Sequence, residues 1–133
     1  MKQPIVLVID DDQDIRNAVS QALEESDLKP QIFTARNATQ GLQLAKTHVP
    51  DVVVLDLQMP LGTGFDFVTE LKLDRKLRSV KVLMLTASDT TGNLWNSIDQ
   101  GIDDFMSKPF DIGELEVRVT ALVGKERAGS GTI

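Results

Sequence analysis

Six residues of this 133-residue chain stand out by type and spacing: the run Asp10, Asp11 and Asp12, then Asp56, Thr86 and Lys108. Each lies at the end of a short, mostly apolar stretch. The acidic run follows IVLVI at 5–9, Asp56 follows VVVL at 52–55, Thr86 follows VLML at 82–85, and Lys108 follows DFMS at 104–107. Where those stretches are neighbouring strands, carboxylates, a hydroxyl and an ammonium converge at one edge. Crowded carboxylates repel one another and tend to hold protons unless a cation is bound. A small, all-oxygen donor set of this kind suits Mg²⁺ (or Mn²⁺), which keeps several waters and accepts phosphate oxygens. The lysine neutralises one carboxylate and can then pair with a phosphoryl oxygen, while the hydroxyl hydrogen-bonds another. The chemistry this predicts is phosphoryl transfer onto a carboxylate.

The elements that must position these residues alternate between two periodicities. Ile5–Ile9 is a continuous apolar run, as expected of a strand buried on both faces. From Asp14 onward, Ile15, Ala18, Val19, Ala22 and Leu23 form one stripe of an amphipathic helix. Gln31–Ala35 is a weaker strand candidate, and Asn37 is placed to cap a helix with Ala38, Leu42 and Ala45 inward. Val52–Leu55 leads through a Pro/Gly-rich turn to a helix carrying Phe67, Val68 and Leu71. Val80–Leu85, a fourth helix over Thr91–Gln100 with Leu94 and Ile98 inward, and a short strand over Asp104–Ser107 follow. Asp111 then caps a last helix with Ile112, Leu115, Val119 and Leu122 facing in. Five such strand–helix units predict an α/β fold, a doubly wound parallel sheet with helices on both faces. In such a sheet the ligand site lies outside the carboxyl ends of the strands, where the strand order reverses.

Composition narrows the chemistry further. With no cysteine and one histidine there is no disulfide, no thiolate nucleophile and no Cys- or His-based metal cage. A net charge of −6 argues against direct nucleic-acid or anionic-membrane binding. No apolar run approaches the roughly 20 residues of a membrane span, and nothing reads as a secretory signal, so a cytoplasmic protein is expected. Residues 1–123 read as one domain, and the glycine-rich GKERAGSGTI at 124–133 as a flexible tail or the start of a linker.

Four motifs, VIDDDQDIR, VVVLDLQMPLGTGFD, VLMLTAS and GIDDFMSKPF, occur in an order and at a spacing that resemble the receiver domain of two-component response regulators, chemotaxis-response-regulator-like. The resemblance covers about residues 4–123. It implies a flavodoxin-like, three-layer α/β/α fold with strand order 2-1-3-4-5. It also implies a role for each matching position. Asp56 matches the phosphoacceptor, and Asp10 and Asp11 match the acidic pair that holds Mg²⁺, with Asp11 the direct ligand. The backbone carbonyl of Gln58 matches a further metal ligand, Thr86 the switch hydroxyl, and Lys108 the phosphate-pairing lysine. Phe105 matches the aromatic switch residue, whose ring turns inward on activation. The phosphodonor implied is a sensor histidine kinase or phosphotransfer protein. The implied output is a switched surface formed by the fourth helix, fifth strand and last helix, acting on an effector domain or protein or on a second copy in a homodimer. The resemblance implies a signalling domain that catalyses only its own phosphorylation and dephosphorylation, not a classical enzyme. Two features depart from the pattern or leave it open. Ile102 replaces a residue that is usually small, which puts the end of the fourth helix in question. Gln58 and Ser88, at positions that tune phosphoryl lifetime, are both polar and uncharged.

Each residue also has a duller reading. Asp12 or Asp14 fits a helix cap, Thr86 a strand-end hydroxyl, Lys108 a surface lysine before a proline, and His48 a solvated loop residue. Trp95 fits a half-buried packing residue or an anchor for a partner. Taken together, the duller readings need a coincidence at every strand end. Among other classes, a haloacid-dehalogenase-like phosphatase needs a second Asp where Gln58 stands. A flavin-binding carrier needs a Ser/Thr/Gly loop where DDDQD stands. A pseudo-receiver would not retain the full residue set.

Overall fold

The apolar stretches become strands, and strict alternation of their side chains divides the core into two layers. The computed structural model describes residues 3–59, 62–87 and 101–131. In it β1 (Ile5–Ile9), β2 (Gln31–Ala35) and β3 (Val52–Asp56) are followed by the two-residue strands β4 (Gln58–Met59) and β5 (Gly62–Thr63), then by β6 (Lys81–Ala87) and β7 (Asp104–Lys108). The helices are α1 (Gln13–Glu25), α2 (Ala38–His48), α3 (Gly64–Leu73) and α4 (Ile112–Gly131). The main sheet has the order β2-β1-β3-β6-β7, which is 2-1-3-4-5 counted over its five strands, and every pairing is parallel. The two short strands pair antiparallel as a hairpin of their own. This is the doubly wound, flavodoxin-like arrangement expected.

Leu7, Ile9, Val53, Leu55, Val82 and Met84 face one layer, where Ala45 of α2 and Phe67, Val68 and Leu71 of α3 cover them. Val6, Val8, Val52, Val54, Leu83 and Leu85 face the other, under Val19 and Leu23 of α1 and Leu115, Val119 and Leu122 of α4. Both faces of the sheet are therefore covered, which is why its central strands carry no polar alternation. The edge strand β2 is more exposed, in keeping with its weaker signal. No helix of the described residues is long and apolar enough to cross a membrane.

The helix starts are set by side chains that satisfy free backbone N–H groups. Asp12 accepts from the Asp14 and Ile15 amides at 2.9 and 3.4 Å, Asn37 from Gln40 at 2.8 Å, and Asp111 from Glu114 at 2.9 Å. Asp12 is thus the cap of α1.

Some local expectations change. Ala18 is exposed, because the buried stripe of α1 is narrower than its apolar pattern. His48 ends α2 and stacks on Phe33, with ring centroids 3.7 Å apart at 14°, so it is a packing residue and not a solvated loop. α4 continues to Gly131, past the expected boundary at 124, although its buried face does end at Val123. Ile102 is 4% exposed, within the first core layer. The expected fourth helix over Thr91–Gln100, with Leu94, Trp95 and Ile98, and also Ser88, lies outside the described residues.

Candidate functional site

Strand register brings the chemical residues together. Ile9 pairs with Leu55, so Asp10 and Asp56 lie next to each other at the ends of adjacent strands. The strand order reverses here, between β1 and β3. Asp56 is opposite Leu85, one residue before Thr86, and Ala87 is opposite Lys108. Residues separated by almost 100 positions in sequence thus meet at one sheet edge.

Asp10 is fully buried and Asp56 is 5% exposed, while Asp11 is exposed. One carboxylate oxygen from each lies within 4.8 Å of the others, a spacing that a single small cation could bridge. Both oxygens of Asp10 are engaged. Oδ1 accepts the Asp12 amide at 2.9 Å, and Oδ2 accepts the Lys108 ammonium at 3.0 Å. The same ammonium lies 3.3 Å from Asp56 Oδ1, which also accepts the Gln58 amide at 3.2 Å. The Lys108–Pro109 peptide is cis.

The electrostatics show a shortage of positive charge. Burial, and then the neighbouring Asp10 charge, raise the pKa of Asp56 to about 6, against the lowering effects of Lys108 and the Gln58 amide. Burial alone would lower the Lys108 pKa, but its hydrogen bond to Asp10 and the charge of Asp56 outweigh this and raise it above the ordinary lysine value. A single ammonium is shared between two buried carboxylates and does not fully compensate them. A divalent cation would supply the missing charge, and the hard oxygen donors present fit one. Replacing Lys108 with Met, which removes that ammonium, is expected to raise the Asp56 pKa above 6 in metal-free protein; a carbon-detected NMR titration of the Asp56 carboxyl reads it.

The remaining predicted residues lie on or beside the strands that carry the cluster. Thr86 is 1% exposed, in β6 beside β3. Gln58 is exposed, in the turn after Asp56. That turn is tight. A Cβ at Gly64 would come within 2.9 Å of the Asp56 carbonyl oxygen and 3.1 Å of Leu57 Cα, so only glycine lets α3 start against the site. Phe105 is half-buried and packs on the core layer that contains Met84 and Ile102.

Two residues were not singled out from the sequence. Arg16 donates to the Asp10 carbonyl oxygen at 2.6 Å and so steadies the loop that carries the acidic run. Its only sequence signal is a cation one turn into the helix that follows. Arg118 of α4 pairs with Asp104 at 2.8 Å and donates to the Phe105 carbonyl at 3.1 Å, tying α4 to β7 beside the aromatic residue. The Glu114–Arg118 spacing of four residues was the available clue, and that pair forms at 3.0 Å.

Comparison with known proteins agrees with this geometry. The family profile described as response regulator receiver domain matches residues 6–120. The response regulator Rre1 of Synechocystis is 37% identical over 132 residues, covering 98% of this chain and 56% of its own length. The KDP operon transcriptional regulatory protein KdpE of Escherichia coli is 36% identical over 123 residues, covering 92% of this chain and 52% of its own. The chain thus spans about half the length of these curated relatives. Among solved structures, the receiver domain of the Francisella response regulator 1452 superposes with a TM-score of 0.82 at 33% identity, over 92% of this chain and 98% of that one. The Vibrio cholerae chemotaxis protein CheY4 superposes with a TM-score of 0.82 at 27% identity, over 91% of this chain and 99% of that one.

Proposed function

The chain belongs to the response regulator receiver domain family of two-component signalling, and from that premise we propose that Asp56 accepts a phosphoryl group from a partner histidine kinase or phosphotransfer protein. The observation that carries the reading is the cluster itself: carboxylate oxygens of Asp10, Asp11 and Asp56 within 4.8 Å, with the Lys108 ammonium 3.0 Å from Asp10 and 3.3 Å from Asp56.

In the proposed reaction an Asp56 carboxylate oxygen attacks the phosphorus of a phosphohistidine. The new O–P bond forms as the P–N bond breaks, and the imidazole leaves with the electron pair. Lys108 moves its pairing from Asp56 to an oxygen of the incoming group, and the Thr86 hydroxyl donates to another. Asp10, Asp11, Asp56 and the Gln58 carbonyl would hold Mg²⁺ or Mn²⁺, which when bound supplies charge stabilisation for the phosphoryl oxygens. The domain then catalyses no more than its own phosphorylation and dephosphorylation.

The output proposed is a two-state one. Phosphorylation draws Thr86 and Lys108 towards the new charge and biases the surface of β7 and α4, with Phe105 turning inward. That surface engages an effector domain or protein, or a second copy of the chain. Cytoplasmic placement belongs to the same proposal, and so does the reading of residues 124–133 as leading into a linker.

Incubation with a small phosphodonor and Mg²⁺ tests it. The expected result is a mass gain of one phosphoryl group, lost when a chelator removes the metal. Full modification without any divalent cation would overturn the metal assignment, and no gain with saturating Mg²⁺ would overturn the phosphoacceptor reading.

A further inference from the structure

A second group of charged residues lies on the outer side of the same sheet edge. Arg16 of α1, Thr34 and Ala35 of β2, and Arg36 and Gln40 at the start of α2 line an open cleft of about 250 Å³. No lining residue is acidic, and α2 has no acidic residue in its first turn. Among the described residues neither guanidinium forms an ion pair, although the chain carries 20 acidic residues against 14 basic ones. Two guanidinium groups on one open cleft, with no carboxylate partner among the described residues, make it a locally positive spot on an acidic chain, able to attract an anion.

The polar groups present a consistent set of donors. Arg16 uses one nitrogen on the Asp10 carbonyl oxygen and keeps the rest of its guanidinium for the cleft. The Arg36 backbone amide donates to Gln40 Oε1 at 3.0 Å, which engages the acceptor end of that amide and leaves its N–H₂ as the part offered to a ligand. The exposed Thr34 hydroxyl adds a further donor. Two guanidinium groups, an amide N–H₂ and a hydroxyl around a space of this size match a tetrahedral oxyanion carrying at most a small substituent.

We propose that this cleft is an anion subsite, separate from the acidic cluster, that takes the phosphate group of a small molecule. Arg16 links the two: it lines the cleft and holds the carbonyl of Asp10, so occupancy of the cleft bears on the loop that carries Asp10 and Asp11. The proposal does not depend on Asp56 being phosphorylated.

The test is a titration of metal-free protein with inorganic phosphate, and separately with methyl phosphate, at constant ionic strength, followed by amide NMR shifts. A chloride series serves as the control. Saturable shifts at Ala35, Arg36 and Gln40 are expected with phosphate and absent with chloride. The Arg36→Gln variant, altered at an exposed side chain, should lose about tenfold or more in phosphate affinity while its unperturbed spectrum stays folded. Saturation by methyl phosphate as well supports a subsite for the phosphate group of a small molecule, and saturation by inorganic phosphate alone would overturn that ligand class in favour of the free ion. Shifts confined to Lys108 and the acidic cluster, shifts equal to those with chloride, or an affinity unchanged by Arg36→Gln would each overturn the proposal.

Discussion

Asp56→Asn is expected to lower the rate of phosphoryl uptake from a small donor by about 10⁴-fold or more, the scale on which enzymes respond to loss of a nucleophile. The amide is nearly isosteric with the carboxylate. It can still accept the Gln58 amide hydrogen bond through its oxygen, so the fold and the Asp10–Lys108 pair should persist. What it lacks is the anionic oxygen that attacks phosphorus in the proposed reaction. Intact-mass measurement with Mg²⁺ and a phosphodonor reads the effect directly. A variant that gained a phosphoryl group at the native rate would move the acceptor to another residue. The same substitution removes one of two buried like charges, and the metal-free variant should therefore be more stable than the native chain at neutral pH. The residue proposed to accept the phosphoryl group is then also one whose ionised form costs the metal-free fold stability.

The second large effect is a dependence of stability on pH that runs opposite to ordinary acid denaturation. The pKa of Asp56 is about 6 in the folded protein, against an ordinary aspartate value of 3.8. Between those two values the folded state holds more protons at this position than the unfolded state, so unfolding releases protons and stability falls as pH rises. The contribution is fully present below 3.8 and is lost as pH rises through about 6. A shift of this size corresponds to at most about 3 kcal/mol. Urea unfolding of metal-free protein across this range should show the decline, superimposed on the other carboxylates. Saturating Mg²⁺ should flatten it by favouring the ionised form, with protons released on binding in the same window. Asp56→Asn should flatten it with or without metal. A metal-free native profile identical to that of the variant would show that Asp56 titrates normally.

Legibility varied with the kind of physics involved. The strand cores could be read because IVLVI and VVVL bury both faces, a pattern that a half-exposed strand or a surface helix does not produce. The helix caps Asn37 and Asp111 could be read because capping is a local hydrogen bond between near neighbours in sequence. Asp12 had two local readings, and only the direction of its side chain decided for the cap. His48 is not legible as a packing residue because its partner Phe33 lies on the strand before its helix, far beyond the reach of helical spacing, and no local pattern encodes such a stack. The 124–131 stretch has the composition of a tail, yet its backbone continues a helix already nucleated by the buried turns before it. The role of Arg16 is not legible in the sequence because it depends on reaching back to the carbonyl of Asp10, a contact with no residue-type signature.

The sequence alone determined that this chain is an alternating α/β protein with aspartates, a threonine and a lysine at the ends of its strands, and so which residues were available for phosphoryl chemistry. Periodicity and residue type are one-dimensional properties, and they suffice for that. Strand order and register belong to the tertiary structure. They make Asp10 and Asp56 neighbours, bring Lys108 to within 3.0 and 3.3 Å of both, and bury the two carboxylates around one ammonium. That burial, and then the Asp10 charge beside it, raise the Asp56 pKa to about 6, since both depend on what surrounds a charge in space and not on what precedes it in the chain.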